Sequence, residues 1–193
     1  MKSVTAILGS PRRESNTEIL LNEAIRGVKD SGFSVKTFCL NEMNIKGCQA
    51  CYYCKENNTT DCAVTDDMNE IYNSINESSA LIIATPVYFG GVTAQTKSFT
   101  DRMFPFIDLN VQTLLENRKK ASFIFTQNQP HPFLFRKAMD SFAEMFEYMG
   151  FDTIDILPAC GLSKGYTPMV SEDKEIMNKA FKLGLNICSK QEK

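Results

Sequence analysis

The chain reads as an α/β fold: a doubly wound, five-stranded parallel sheet with helices on both faces. Three observations predict it. Five apolar runs of strand length alternate with helical patterns along 193 residues. The run Ala80-Leu81-Ile82-Ile83-Ala84 is continuously apolar, as a parallel strand covered on both faces is. The turns that follow the first, third and fourth strands are polar and irregular, and ligands of such sheets sit at the carboxyl ends of the strands.

The elements follow in order. Val4 to Leu8 is the first strand, and Gly9 to Thr17 is a polar turn. Glu18 opens an amphipathic helix that Ser31-Gly32 stops. Phe33 to Leu40 alternates as a second strand, and Asn41 to Thr65 is a long polar stretch rich in cysteine. Thr65-Asp66-Asp67-Met68 starts a helix with acids in its first turn, running to about Ser78. The third strand follows, broken at Thr85 to Gly91, and then a helix from about Thr93 to Phe104. Lys120 to Thr126 is the fourth strand. A helix from about Phe133 to Met149, a fifth strand from Phe151 to Leu157 with Pro158 at its end, and a helix from Glu172 to Ser189 complete the chain. Gln191-Glu192-Lys193 is expected to fray. We expect one domain over residues 1–193, with a cysteine-rich insertion at about 44–65.

Composition narrows the function. Hydrophobic residues make up 43% and charged residues 23%, ordinary values for a globular protein. The net charge of −2 and the scattered Lys and Arg argue against nucleic acid as a partner. No apolar run approaches the length of a membrane span, and the N-terminus lacks the pattern of a signal peptide, so a cytoplasmic location is expected. The seven cysteines then read as thiols or metal ligands, not disulfides.

The first turn has the makings of a phosphate site. A helix N-terminus attracts anions through its unpaired N–H groups and its dipole. Ser10, Ser15, Asn16 and Thr17 add side-chain partners, and Arg12 adds a charged fork. The bland alternative is an N-cap with a surface arginine. The dinucleotide and nucleoside-triphosphate fingerprints are absent, so a mononucleotide suits the turn better. The second turn offers Pro86, Val87, Tyr88 and Phe89 beside Gly90 and Gly91, whose missing side chains let backbone approach a flat ligand. Its bland alternative is a helix entry with core aromatics. Together, a phosphate grip and a planar border match flavin mononucleotide (FMN). The third turn opens at Thr126.

The spacing Cys48-x2-Cys51-x2-Cys54-x7-Cys62 carries a separate signal. Compact thiolate runs hold iron–sulfur clusters. Zinc and unliganded thiols are the alternatives. Cys39, Cys160 and Cys188 lie outside the run and read as small apolar residues. The first turn has no cysteine, which excludes a C-x5-R phosphatase loop. His131 is the only histidine and there is no nucleophile elbow, so serine hydrolase chemistry has no support.

Gly9-Ser10-Pro11-Arg12 with Ser15-Asn16-Thr17, and the long stretch from Thr85-Pro86-Val87-Tyr88-Phe89-Gly90-Gly91 to Asp101-Arg102, resemble the NADPH-dependent FMN reductase family. The cysteine run ending in Asp66-Asp67-Met68 resembles its iron–sulfur flavoprotein branch. The resemblance implies a flavodoxin-like fold and non-covalent FMN, with Ser10, Arg12, Ser15, Asn16 and Thr17 at the phosphate. Pro86, Val87, Tyr88, Phe89 and Gly90 would border the ring, and Cys48, Cys51, Cys54 and Cys62 match the ligands of a 4Fe-4S cluster. It further implies NAD(P)H as co-substrate, a small-molecule acceptor or ferredoxin-like carrier as partner, and a homodimer or homotetramer. The turn after strand four departs from the family: Thr126-Gln127-Asn128-Gln129-Pro130 stands where many relatives are glycine-rich.

Overall fold

A computed structural model describes residues 2–162 and 169–189. The strands are β1 (Ser3–Leu8), β2 (Ser34–Cys39), β3 (Ala80–Pro86), β4 (Lys119–Thr126) and β5 (Phe151–Ala159). The helices are α1 (Asn16–Asp30), α2 (Tyr53–Glu56), α3 (Met68–Glu77), α4 (Ala94–Asp101), α5 (Arg136–Tyr148) and α6 (Lys174–Cys188), with short 3-10 turns at Leu40–Glu42, Phe104–Phe106 and Val170–Glu172. The five strands are all parallel, in the order β2-β1-β3-β4-β5. This is the doubly wound parallel sheet that the alternation of patterns predicts, in the flavodoxin-like arrangement that the resemblance implies. The chain winds outward from β1 to β2, then crosses back to β3, so the order reverses between β1 and β3.

Alternation along the strands divides the core in two. Ile7, Leu81, Ile83, Phe123 and Phe125 face α3, α4 and α5, meeting Ile71, Tyr72, Phe99 and Phe146. Val4, Ala6, Leu8, Ile82 and Ile124 face α1 and α6, meeting Leu20, Leu21, Ala24 and Leu183. Successive side chains point to opposite faces, so one apolar run fills both layers.

Element ends differ from the sequence reading. β5 continues through Pro158 to Ala159. It is an edge strand, where a missing N–H is tolerated. α5 begins at Arg136, because residues Phe133 to Phe135 form turns closed by Leu134 N–H to His131 C=O and Arg136 N–H to Phe133 C=O. α4 ends at Asp101, and Pro105 supports the 3-10 turn that follows. α6 opens at Lys174, with Asp173 accepting from Glu175 and Ile176 N–H. Gln191, Glu192 and Lys193 lie outside the described residues.

Candidate functional site

The end of β1 is locked before its turn begins. Gly9 N–H donates to Ala84 C=O at 2.8 Å, and Thr93 Oγ1 donates to Gly9 C=O at 2.7 Å. A Cβ on Gly9 would collide with Thr96 Oγ1 and press on Thr85, so only glycine lets β1, β3 and the start of α4 meet here. Ser15 caps α1 in extended conformation, its Oγ accepting from Glu18 N–H at 3.2 Å. Glu18 in return accepts from Glu14 N–H at 2.6 Å, a reciprocal cap one residue wider than usual. Ser10 Oγ lies within hydrogen-bond distance of both Arg12 N–H and Arg12 C=O, tightening the turn.

Ser10, Arg12, Ser15, Asn16, Thr17, Pro86, Val87, Tyr88, Phe89 and Thr126 line one cleft of about 470 Å³, at the carboxyl ends of β1, β3 and β4. The volume lies in the ordinary range for a small-molecule site. Among the described lining residues there is no carboxylate, and Arg12 is the one full charge, a donor set suited to an anion.

Two of the expected phosphate partners have other work. Thr17 Oγ1 and Thr126 Oγ1 share a buried hydrogen bond of 2.7 Å that ties α1 to β4. Asn16 Oδ1 accepts from Met169 N–H and Val170 N–H at 2.8 and 3.0 Å, and its amide donates to Leu162 C=O at 3.4 Å. The Asn16 side chain therefore organises the approach to α6.

Gly90 and Gly91 also depart from expectation. Tyr88 and Gly91 exchange backbone hydrogen bonds of 2.9 and 3.0 Å, with Phe89 at φ +47° and Gly90 at φ +80°, a tight turn of the I′ kind. The glycines line a second cavity of about 520 Å³ between α4 and α5, together with Phe125, Met139, Phe142 and Met145. Val87 and Phe135 belong to both cavities. Phe89 adopts a left-handed backbone that bulky residues seldom take, and its ring stands fully in solvent at the cleft.

Gln127, Asn128 and Gln129, from the turn the sequence places at the ligand edge, line the first cleft as well, and so do Phe135 and Leu162, to which the sequence reading gave no role. Gln127 is buried. Its Nε2 donates to Gln129 C=O and His131 C=O at 3.0 Å each, while Oε1 has no partner among the described residues. The available signal was position alone: this turn leaves β4 at the ligand edge.

The cysteine segment forms a second site. Cys48, Cys51, Cys54 and Cys62 line a common hollow of about 20 Å³, room for roughly one water-sized body. Cys48 and Cys51 are exposed and Cys54 is buried. Burial pushes the Cys54 thiol above its ordinary pKa, as it does those of Cys39, Cys160 and Cys188. Ala50 and Tyr52, either side of Cys51, are both left-handed at φ +50° and +58°. Among the described residues no three His, Cys, Asp or Glu side chains are set to hold a metal ion.

Two cations pin this segment. Lys55 is buried; its Nζ donates to Phe104 C=O and Ile107 C=O and lies 3.6 Å from the Phe104 ring centroid. Arg102, 1% exposed, ion-pairs with Asp66 and holds both limbs of the loop. Its Nη1 donates to Asp66 Oδ2 at 2.7 Å and Lys46 C=O at 2.9 Å; its Nη2 donates to Val64 C=O at 3.1 Å and Asp66 Oδ1 at 3.2 Å. Tyr72 OH donates to Arg102 C=O at 2.5 Å. Asp66 and Asp67, expected as first-turn acids of α3, accept instead from Lys46, Met68 and Asn44 N–H across the neck of the loop.

Comparison with known proteins gives a consistent picture. The sequence model described as NADPH-dependent FMN reductase matches residues 2–126. A protein of Archaeoglobus fulgidus named iron-sulfur flavoprotein is 40% identical over 99 residues, 51% of this chain and 49% of that one. One of the same name from Methanosarcina thermophila is 35% identical over 99 residues, 51% of each chain. The chain spans about half the length of the curated relatives it matches. In fold it is similar to an NAD(P)H:quinone oxidoreductase of Methanothermobacter marburgensis, with TM-score 0.81, 16% identity and 98% of both chains covered. It is also similar to an FMN-dependent NADH-azoreductase of Bacillus anthracis, with TM-score 0.70, 13% identity, and 97% and 98% covered. No helix among the described residues is long and apolar enough to cross a membrane.

Proposed function

This chain belongs to the NADPH-dependent FMN reductase family; from that premise we propose that it is an FMN-binding oxidoreductase, which takes electrons from NAD(P)H, or from a ferredoxin-like carrier, and passes them to a small-molecule acceptor. The observation that carries the reading is the carboxylate-free cleft at the sheet's reversal point, lined by every expected flavin contact save Gly90 and Gly91. Arg12, Ser10 and the leading amides of α1 would hold the phosphate. Pro86, Val87, Tyr88 and Phe89 would border the ring, and Gln127 Oε1 supplies an acceptor that nothing among the described residues uses. Bound FMN supplies the hydride and single-electron chemistry. The chain's own task is to fix and orient it and to keep water from one face. The neighbouring apolar cavity, which shares Val87 and Phe135 with the cleft, would take a second substrate. No side chain is required as acid or base.

A second reading is favoured by the shared hollow of the four cysteines. Cys48, Cys51, Cys54 and Cys62 would hold a 4Fe-4S cluster, with the exposed Cys48 and Cys51 spreading to admit it. All-sulfur donors suit iron–sulfur clusters. The chain would then be an electron-transfer module of cytoplasmic location, assembled as a homodimer or homotetramer.

One preparation tests both readings. Protein purified without oxygen is assayed for flavin, iron, zinc and sulfide per chain, then mixed with NADPH or NADH. Bleaching of the flavin bands supports the reductase. Iron and sulfide with no bleaching, but reduction by a ferredoxin-like protein, selects the carrier reading. Failure to bind FMN at all would overturn the proposal. Arg12→Ala should weaken FMN binding at least tenfold, because a charge-assisted bond is worth about 1.5–3 kcal/mol; a calorimetric titration with unchanged affinity would remove Arg12 from the phosphate.

A further inference from the structure

Arg102 leaves one donor unexplained. A guanidinium carries five N–H groups in a fixed fork. The two Nη atoms of Arg102 are occupied by Asp66, Lys46 and Val64. The Nε–H is buried and has no partner among the described residues. Buried donors are almost always satisfied, so an orphan points to a partner that is not part of the chain. Among the described residues Arg102 is also the one arginine that lines the hollow formed by Cys48, Cys51, Cys54 and Cys62.

The same side chain shapes that hollow. Its carbonyl partners are Lys46, two residues before Cys48, and Val64, two residues after Cys62. One guanidinium thus closes the neck of the cysteine loop and brings its first and last cysteines together. Its guanidinium is charged at any ordinary pH, and the ion pair with Asp66 offsets the cost of burying it. Asp66 is already saturated: its oxygens take both Nη groups and the N–H groups of Lys46 and Met68. The sulfurs of Cys48, Cys51, Cys54 and Cys62 are among the acceptors that line the hollow.

We propose that Arg102 is a positioning and potential-setting residue of the cluster site, its Nε–H donating a hydrogen bond to a cysteinyl or cluster sulfur. This rests on the cluster reading above. A cluster bound by four thiolates gains negative charge on reduction. A fixed cation and an N–H aimed at sulfur stabilise the reduced form more than the oxidised form, and so raise the reduction potential. Arginine does not deprotonate, so this contribution is constant with pH.

The test uses the full chain, reconstituted without oxygen with ferrous iron and sulfide, with iron and sulfide counted per chain. In wild type carrying 15N-arginine, pulsed EPR of the reduced cluster should show coupling to a 15N nucleus, which by position is that of Arg102. Arg102→Lys, which keeps a cation but loses the fork, should lower the cluster's reduction equilibrium constant at least tenfold, about 59 mV for a one-electron couple. If wild type takes up no iron and sulfide, the cluster reading itself falls, and this proposal with it. If the cluster forms but shows no arginine coupling, or if its potential is unchanged in Arg102→Lys, the cluster reading stands and the proposal is overturned. Should Arg102→Lys fold poorly for want of its neck clamp, the labelled wild type decides alone.

Discussion

Asp66 is the residue on which the cysteine segment turns. Burial, the largest single influence on its carboxyl group, pushes the pKa up. Arg102 and the N–H groups of Lys46 and Met68 push it down and prevail, so it titrates below the ordinary carboxylate value. A folded pKa below the unfolded one means stability that is fully present above the unfolded value, near 4, and lost as pH falls through the folded value. Asp66→Asn should cost about 3–5 kcal/mol at neutral pH, because it strands a buried guanidinium. Urea denaturation at pH 7 measures that loss, and repeating it toward pH 3 should show the gap to wild type narrowing. A gap that stays constant with pH would mean the Asp66 charge is not what holds the neck. The sequence showed Asp66 and Arg102 as separate features, a helix-start acid and the end of a family motif. Their pairing spans 36 residues and no local pattern encodes it. Asn16 and Thr17 teach the same lesson from the other side. Residue type and position marked them as phosphate partners, and both do line the cleft, but their side chains are bonded to Met169, Val170 and Thr126.

At the level of elements, α1 matters twice: its start shapes the cleft proposed for flavin, and its body packs on α6. That packing is close enough to exclude a side chain at two points. A Cβ on Gly184 would strike the Ala24 carbonyl, and one on Gly27 would strike the Phe181 carbonyl. Backbone cannot rotate away as a side chain can. Gly184→Val should therefore destabilise the fold by about 1–3 kcal/mol through overpacking, lowering the melting temperature by roughly 2–12 °C for a chain of this size. Scanning calorimetry reads this directly; an unchanged melting temperature would show that the helices separate at little cost. Strands were legible because apolar runs of strand length have few other uses in such a chain. Element ends were less so. Pro158 looked like a stop, but an edge strand tolerates it. Phe133 looked like a helix start, but the local turns before Arg136 prevail. The four-residue α2 left no periodic signal among the cysteines, being too short to show one.

The two proposed sites share no lining residue among the described ones: the cleft on the turns after β1, β3 and β4, and the cysteine hollow beyond the C-terminal end of α4. A ligand that binds only the folded state stabilises it in proportion to RT ln(1 + [L]/Kd), about 2.7 kcal/mol at one hundred times Kd. For a domain of this length that is a rise of roughly 5–11 °C in melting temperature. FMN should produce that rise in wild type. It should produce nearly the same rise in Cys51→Ser, because effects at separated sites without shared partners add. Iron content should fall in Cys51→Ser while flavin content holds. The two readouts separate the possible failures. If FMN raises the melting temperature of neither protein, the cleft is not a flavin site. If it raises that of wild type but not of Cys51→Ser, the hollow and the cleft form one coupled unit. The coupling would then have to run through α4, whose start fixes Gly9 at the cleft and whose end carries Arg102 at the hollow.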